Sequence, residues 1–387
     1  MKKYEQYDIV EKILKNTYYS INDYKNILKK LGDEKSKLSA FYRIMYDNTQ
    51  DKYYALNLIK LMYYCNNINS IDDRAMFNYL MFMLENNNYK KKLKICYLPS
   101  EDINYTKWCL LDLVYCMNNT DYNIYNDNYG FEINLPDYSI YINSINNLEI
   151  DKDSIYIIFK NDTNLINYLE KNGISKKYIF IFNTTFELIK EYQYFSESFF
   201  TFKDNDIFVD GGSYNLETTI QLLNLSEHTI KKIYAFEPIE KNYNNCISLK
   251  KEYNLNNIDI INIGLWSKKE TKIFSSNTSG AARESKEGNV KIECDSLDNI
   301  LNGNKVSIIK LDIEGSEAEA LNGAKKTIQK YKPILMICIY HKPNDILKLF
   351  NIINNIDSNY TYYIRHHSFY DCETVLYAIP KNRLIEY

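Results

Sequence analysis

The sequence predicts an α/β protein behind a helical N-terminal domain, and three observations carry that prediction. Between about residues 201 and 380, seven apolar runs of strand length alternate with helix-length periodic segments. The last two runs have no helix between them, so the sheet is expected to be parallel with its final strand inserted antiparallel. The first ninety residues hold one glycine, Gly32, and apolar residues at three- and four-residue steps, which is a helical pattern. A chain of 387 residues with 45% apolar side chains has length for two or three domains at roughly 100–200 residues each. The boundaries are expected at 1–90, 91–200 and 201–387.

Taken in order, periodic runs such as YYALNLIKLMYY at 53–64 and AMFNYLMFML at 75–84 predict about four helices in the first domain. They offer a face for packing on the rest or for a homo-oligomer. In the second, residues 94–98, 123–125, 154–159 and 178–182 read as strands, with helices at 104–118 and 163–172, a βαβ pattern. The first strand is followed by Pro99-Ser100-Glu101-Asp102, without the glycine turn that brings backbone against a pyrophosphate. The segment therefore reads as a degenerate Rossmann-like domain with a structural or substrate-positioning role. In the third, strands are expected at 207–210, 232–236, 258–263, 305–311, 333–339, 360–365 and 374–379, and helices at 217–224, 240–253, 316–330 and 344–355. Ligands of such sheets sit at the carboxyl ends of the strands.

Composition excludes several classes. The net charge of −3 arises from 47 basic and 50 acidic residues spread along the chain, so no nucleic-acid footprint stands out. The eight Cys contain no CxxC pair and suit buried thiols in a reducing compartment. The start, MKKYEQYDIVEKILKN, lacks the apolar stretch of a signal peptide, and no run approaches the ~20 residues of a membrane span; the cytoplasm is the expected location. The 38 Tyr and the excess of Lys over Arg, 42 to 5, match AT-rich codon usage rather than a binding signature.

Three strand ends carry chemistry. Ile207-Phe208-Val209-Asp210-Gly211-Gly212-Ser213-Tyr214 ends a strand in a sharp glycine turn able to bring N–H groups against a ligand. Ala235-Phe236-Glu237-Pro238 places an acid after the glycine turn, within the roughly 20–30 positions at which a carboxylate accepts both hydroxyls of a ribose. Ile308-Ile309-Lys310-Leu311-Asp312-Ile313-Glu314-Gly315-Ser316-Glu317 ends a buried strand in carboxylates, with Asp312 and Glu314 on one face if the strand continues.

DGGSYNLETT, FEPIEKNY, IECDSLDNIL and IIKLDIEGSEAEALNGA, in this order and spacing, resemble the FkbM family of S-adenosylmethionine-dependent methyltransferases over about residues 204–380. The resemblance implies a class I methyltransferase fold, a seven-stranded Rossmann-like sheet, and methyl transfer to a hydroxyl, often on a sugar or a polyketide. It implies that Asp210, Gly212, Ser213 and Tyr214 form the S-adenosylmethionine turn, that Glu237 binds the ribose, and that Asp312 lies beside the methionine portion or the substrate. Glu314 and Gly315 match the signature turn. Leu216 stands where the family usually has a further glycine and is expected to crowd the helix start.

Downstream, Tyr340-His341-Lys342-Pro343 and Arg365-His366-His367 follow the fifth and sixth strands, bringing three of the four His to the expected rim; His228 is expected at the surface. A His with a pKa near 7 suits removal of a hydroxyl proton. His341 is the expected base, with Asp312 orienting it or serving instead and Glu314 beside them. Tyr340, Arg365, His366 and Arg283 are the expected substrate contacts, Arg283 from a closing loop within 274–290. Asp312 and Glu314 are hard oxygen donors, but no His spacing supports zinc, and no metal is assigned. The leading expectation is an O-methyltransferase acting on a small-molecule carbohydrate or glycan precursor. The alternatives are an NAD-dependent oxidoreductase or epimerase, or a degenerate, non-catalytic binding module.

Overall fold

The structure, a computed structural model, describes residues 3–15, 17–50, 54, 57–58, 61, 92–97, 122–126, 131–134, 139–158, 160, 162–181, 193–195, 199–226, 228–276, 282–284, 288, 290–367 and 372–385. The helix expected at 53–64 falls largely outside these residues, and those at 75–84 and 104–118 fall wholly outside them.

Helices α1 (Lys3–Leu14), α2 (Ile21–Lys30) and α3 (Glu34–Thr49) open the chain. Ser20 and Asp23 form a reciprocal capping box at the start of α2, and the Asp33 carboxylate accepts the Ser36 N–H at the start of α3, satisfying N–H groups that the helix leaves unpaired. Contacts divide the chain into two units, one of residues 1–50, 194–366 and 372–387 and the other of 51–193 and 367–371. The first fifty residues thus belong with the C-terminal block, whereas the sequence places divisions at 90 and 200.

The smaller unit contains β1 (Lys92–Cys96), β2 (Tyr122–Asn126), β3 (Phe131–Asn134), β4 (Ser139–Ser144), β5 (Ser154–Ile158), α4 (Thr163–Lys171) and β6 (Ile179–Ile181). Its sheet runs β3-β4-β2-β1-β5-β6, parallel except at β3–β4. The sequence reading missed β3 and β4. At the carboxyl ends of β1 and β5, the Tyr97 hydroxyl donates to Asp162, the cap of α4.

The larger unit continues with β7 (Asp206–Gly211), α5 (Glu217–Leu225), β8 (Ile230–Phe236), α6 (Glu240–Glu252), β9 (Ile258–Ile261), β10 (Gly264–Leu265), β11 (Glu270–Ser276), β12 (Ala282–Glu284) and β13 (Val290–Asp295). It ends with α7 (Leu297–Leu301), β14 (Ile308–Leu311), α8 (Glu317–Gly323), α9 (Lys325–Tyr331), β15 (Ile334–Cys338), α10 (Asp345–Ile356), β16 (Tyr360–His366) and β17 (Thr374–Pro380). Seven strands are ordered β16-β17-β15-β14-β7-β8-β9. β17 is antiparallel to both neighbours and the other pairs are parallel. β14, β15 and β17 are buried along their whole lengths, as expected of central strands covered on both faces.

Two expectations change. The stretch 274–290 is not simply a loop: a second sheet, β10-β13-β11-β12, occupies this part of the chain, and Arg283 lies in its edge strand opposite Ser275. Arg365 is not a free substrate contact. Its guanidinium donates to the Asp33 carboxylate at 2.6 Å and to Ser36 Oγ at 3.0 Å, joining the start of α3 to β16. Beside this pair, Gly32 N–H donates to Tyr362 O at 2.8 Å. A Cβ on Gly32 would stand 2.5 Å from the Tyr363 ring, so a larger residue here would require that ring to shift.

Candidate active site

The parallel register sets Asp210 of β7 directly beside Lys310 of β14. Both side chains are buried, and an isolated charge there would be costly. They neutralise each other: Lys310 Nζ donates to Asp210 Oδ1 at 3.0 Å and to Gly212 O at 2.7 Å, and Thr219 Oγ1 donates to Asp210 Oδ2 at 2.8 Å. Burial alone would lower the Lys310 pKa, but Asp210 and Asp312 raise it above the usual lysine value. Asp210 therefore fixes the turn from beneath rather than offering a free acceptor.

Above this pair the chain makes the glycine turn. Gly212 has φ +76°, and a Cβ there would stand 1.9 Å from Asp312 O, so no other residue fits. Gly212 and Ser213 N–H both donate to Phe236 O, at 3.1 and 3.0 Å, holding the turn against the end of β8. Ser213 is buried and Tyr214 is half exposed. Tyr214 N–H donates to Glu237 Oε2 at 3.0 Å, and Ile239 N–H to Glu237 Oε1 at 2.9 Å. Burial raises the Glu237 pKa to about 6 despite these bonds. Leu216 does not crowd the turn. It takes the left-handed conformation, φ 59°, which explains the family's preference for glycine, but its side chain is buried in the sheet's core cluster.

At the end of β14, Asp312 accepts hydrogen bonds from Tyr194 at 2.9 Å and Tyr340 at 3.2 Å. Burial opposes its ionisation, yet Lys310, His341 and these hydroxyls hold its pKa below the usual carboxylate range. β14 stops at Leu311 and Glu314 has φ 55°, so the period-two argument for Asp312 and Glu314 does not apply. They nevertheless approach one atom: His341 Nε2 lies 3.4 Å from Asp312 Oδ1 and 3.9 Å from Glu314 Oε2. On the other side of the ring, His341 Nδ1 lies 2.9 Å from Glu317 Oε1. The His341 and Glu317 side chains are 2% and 1% exposed, against 26% and 31% for Asp312 and Glu314, so the imidazole lies behind the carboxylates.

Burial would lower the His341 pKa, but Glu317, Asp312 and Glu314 raise it to about 9. This departs from the expected value near 7: the ring is charged at neutral pH. His366 does not join the cluster. It sits on β16, beyond β17, with Nδ1 2.8 Å from Thr374 Oγ1. His367 is buried, and His228 is 3.4 Å from Asp204 with nearly half its side chain exposed. Among the described residues no group of three or more His, Cys, Asp or Glu is disposed to hold a metal ion, and no helix is long and apolar enough to cross a membrane.

Sequence reasoning gave no role to Lys310, Tyr194 or Glu317. The Asp210–Lys310 pairing follows from strand register, and Tyr194 precedes the block altogether. Only the spacing of Glu317 within the quoted motif was available as a signal.

A seven-stranded sheet carrying a glycine turn, an acid on the next strand and a carboxylate on the other neighbour defines a methyltransferase-like α/β fold. Residues 211–364 match the family model described as the Methyltransferase FkbM domain. Among solved structures, the chain is similar to the methyltransferase FkbM from Methylobacillus flagellatus KT at 16% identity and a TM-score of 0.45, over 86% of this chain and 99% of that one. It is also similar to an rRNA methylase from Streptococcus thermophilus (16%, TM-score 0.32, 46% and 86%). A third is Aeropyrum pernix fibrillarin in complex with natively bound S-adenosyl-L-methionine (10%, TM-score 0.30, 46% and 67%). No curated protein matches the sequence.

Proposed function

We propose that the protein is an S-adenosylmethionine-dependent O-methyltransferase acting on a hydroxyl of a carbohydrate or glycan precursor. The observation that carries this reading is the convergence of the Gly212 turn, Glu237 and Asp312 at the carboxyl ends of three adjacent strands, β7, β8 and β14. The turn sets Tyr214 N–H against Glu237, and Glu237 is a buried carboxylate placed to accept the ribose hydroxyls. S-adenosylmethionine supplies an electrophilic methyl group for in-line transfer to a hydroxyl oxygen.

The chain's own residues do the rest. Asp312, Glu314 and Tyr340 meet the acceptor, and this acidic rim suits a neutral polyol better than an anion. The hydroxyl proton passes by way of Asp312 to His341 in its neutral form. Because His341 titrates at about 9, the neutral fraction and hence turnover rise as pH approaches 9. Both Glu237 oxygens accept only while the carboxyl is ionised, and protonation turns one of them into a donor, so cofactor affinity falls as pH drops through about 6.

Calorimetric titration with S-adenosylmethionine, S-adenosylhomocysteine and NAD tests the reading. The first two are expected to bind, with loss in Glu237→Ala. Binding of NAD alone would overturn the proposal, and binding of none favours a non-catalytic module. His341→Ala is expected to keep cofactor affinity and lose turnover.

A further inference from the structure

We infer that Glu317 is a positioning residue for His341, holding Nδ1 from the buried side so that Nε2 faces Asp312 and Glu314 at the rim. The role assigned to this pair in catalysis rests on the proposed function, but the pairing itself stands on geometry. Glu317 Oε1 lies 2.9 Å from Nδ1 and accepts Ile313 N–H at 3.0 Å and Gly315 N–H at 3.3 Å. One carboxylate oxygen thus stands in ion-pair contact with the imidazole while it is hydrogen-bonded to the turn carrying Glu314. Both side chains are buried, so their attraction is weakly screened.

The groups facing His341 come from every element around it. Glu317 belongs to α8, Asp312 follows β14, Glu314 lies in the intervening turn and Asp345 begins α10. The Tyr340 ring centroid lies 4.2 Å from that of His341, and the Lys342 ammonium is bound to Gly315 O. Of the carboxylates, Glu317 is the nearest and the most buried. It therefore fixes which ring nitrogen faces inward and favours the imidazolium, leaving Nε2 as the nitrogen that exchanges a proton with the rim.

The test is the titration of His341 by NMR in ligand-free protein with labelled histidine, its signal assigned by loss in His341→Asn. In Glu317→Gln, whose amide oxygen can still accept the Ile313 and Gly315 N–H groups, the midpoint is expected to fall from about 9 toward the ordinary histidine value of about 6.5. The alkaline rise of the activity profile should move by the same amount. Glu317→Asp keeps the charge at greater distance and should give a smaller fall, which serves if the Gln variant does not fold. An unchanged midpoint in either folded variant overturns the inference. Undiminished turnover in His341→Ala would instead overturn the catalytic reading while leaving the midpoint shift standing.

Discussion

Leu216 shows how one residue reconciles two demands. Its backbone is left-handed, which costs a non-glycine residue about 1–2 kcal/mol, while its buried side chain contributes about as much or more through packing. Leu216→Ala removes the side chain and keeps the strain, so unfolding in denaturant should show a loss of about 2–5 kcal/mol. Leu216→Gly relieves the strain and is expected to be no worse than alanine, despite being smaller. The positive φ was hidden in the sequence because only the family's glycine hinted at it. The place of Glu237 at the end of β8 was legible, since the strand pattern before it is local. The charge of His341 was not, because it depends on carboxylates at 312, 314 and 317 folding around an atom at 341.

Arg365 acts between elements. Its place after the sixth strand suggested a catalytic rim, but α3 returns from the N-terminus to claim it, and nothing local to residue 365 records Asp33. Arg365 is buried and Asp33 is about a third exposed. Breaking the pair with Arg365→Ala should therefore destabilise the protein by about 1–3 kcal/mol, less than the cost for a fully buried pair. Thermal unfolding should register this loss while the KM of the proposed reaction stays unchanged in the folded protein. A raised KM at unchanged stability would return Arg365 to the substrate site. The Asp210–Lys310 pair likewise joins two strands a hundred residues apart, and only their register brings the side chains together.

Across the whole molecule, several buried groups take up protons on folding. His341 titrates at about 9 against about 6.5 unfolded, so its contribution is full below pH 6.5 and is lost as pH rises through about 9. That difference corresponds to about 3 kcal/mol. Glu237, raised by burial to about 6, and Asp345, raised to about 7 by burial and then by Glu317, also favour the protonated fold. They lower stability as pH rises from about 4 to 7. Chemical denaturation of the ligand-free protein should thus show stability declining from pH 6.5 to 9, and His341→Asn should flatten that decline. An equally steep slope in the variant would show that other groups set it.

What the sequence determined by itself was periodic and local: the alternation of seven strands with helices, the antiparallel last strand, the Gly212 turn and the acid at 237. Strand and helix periods, and the few residues that fit a tight turn, are written in neighbouring positions. What only the tertiary structure decided was the set of partners: Lys310 under the turn, Asp33 on Arg365, Tyr194 on Asp312 and Glu317 behind His341. Those pairings join segments distant along the chain, or fix the direction of a side chain after a strand has ended. Their energies depend on burial, which no single stretch of sequence specifies.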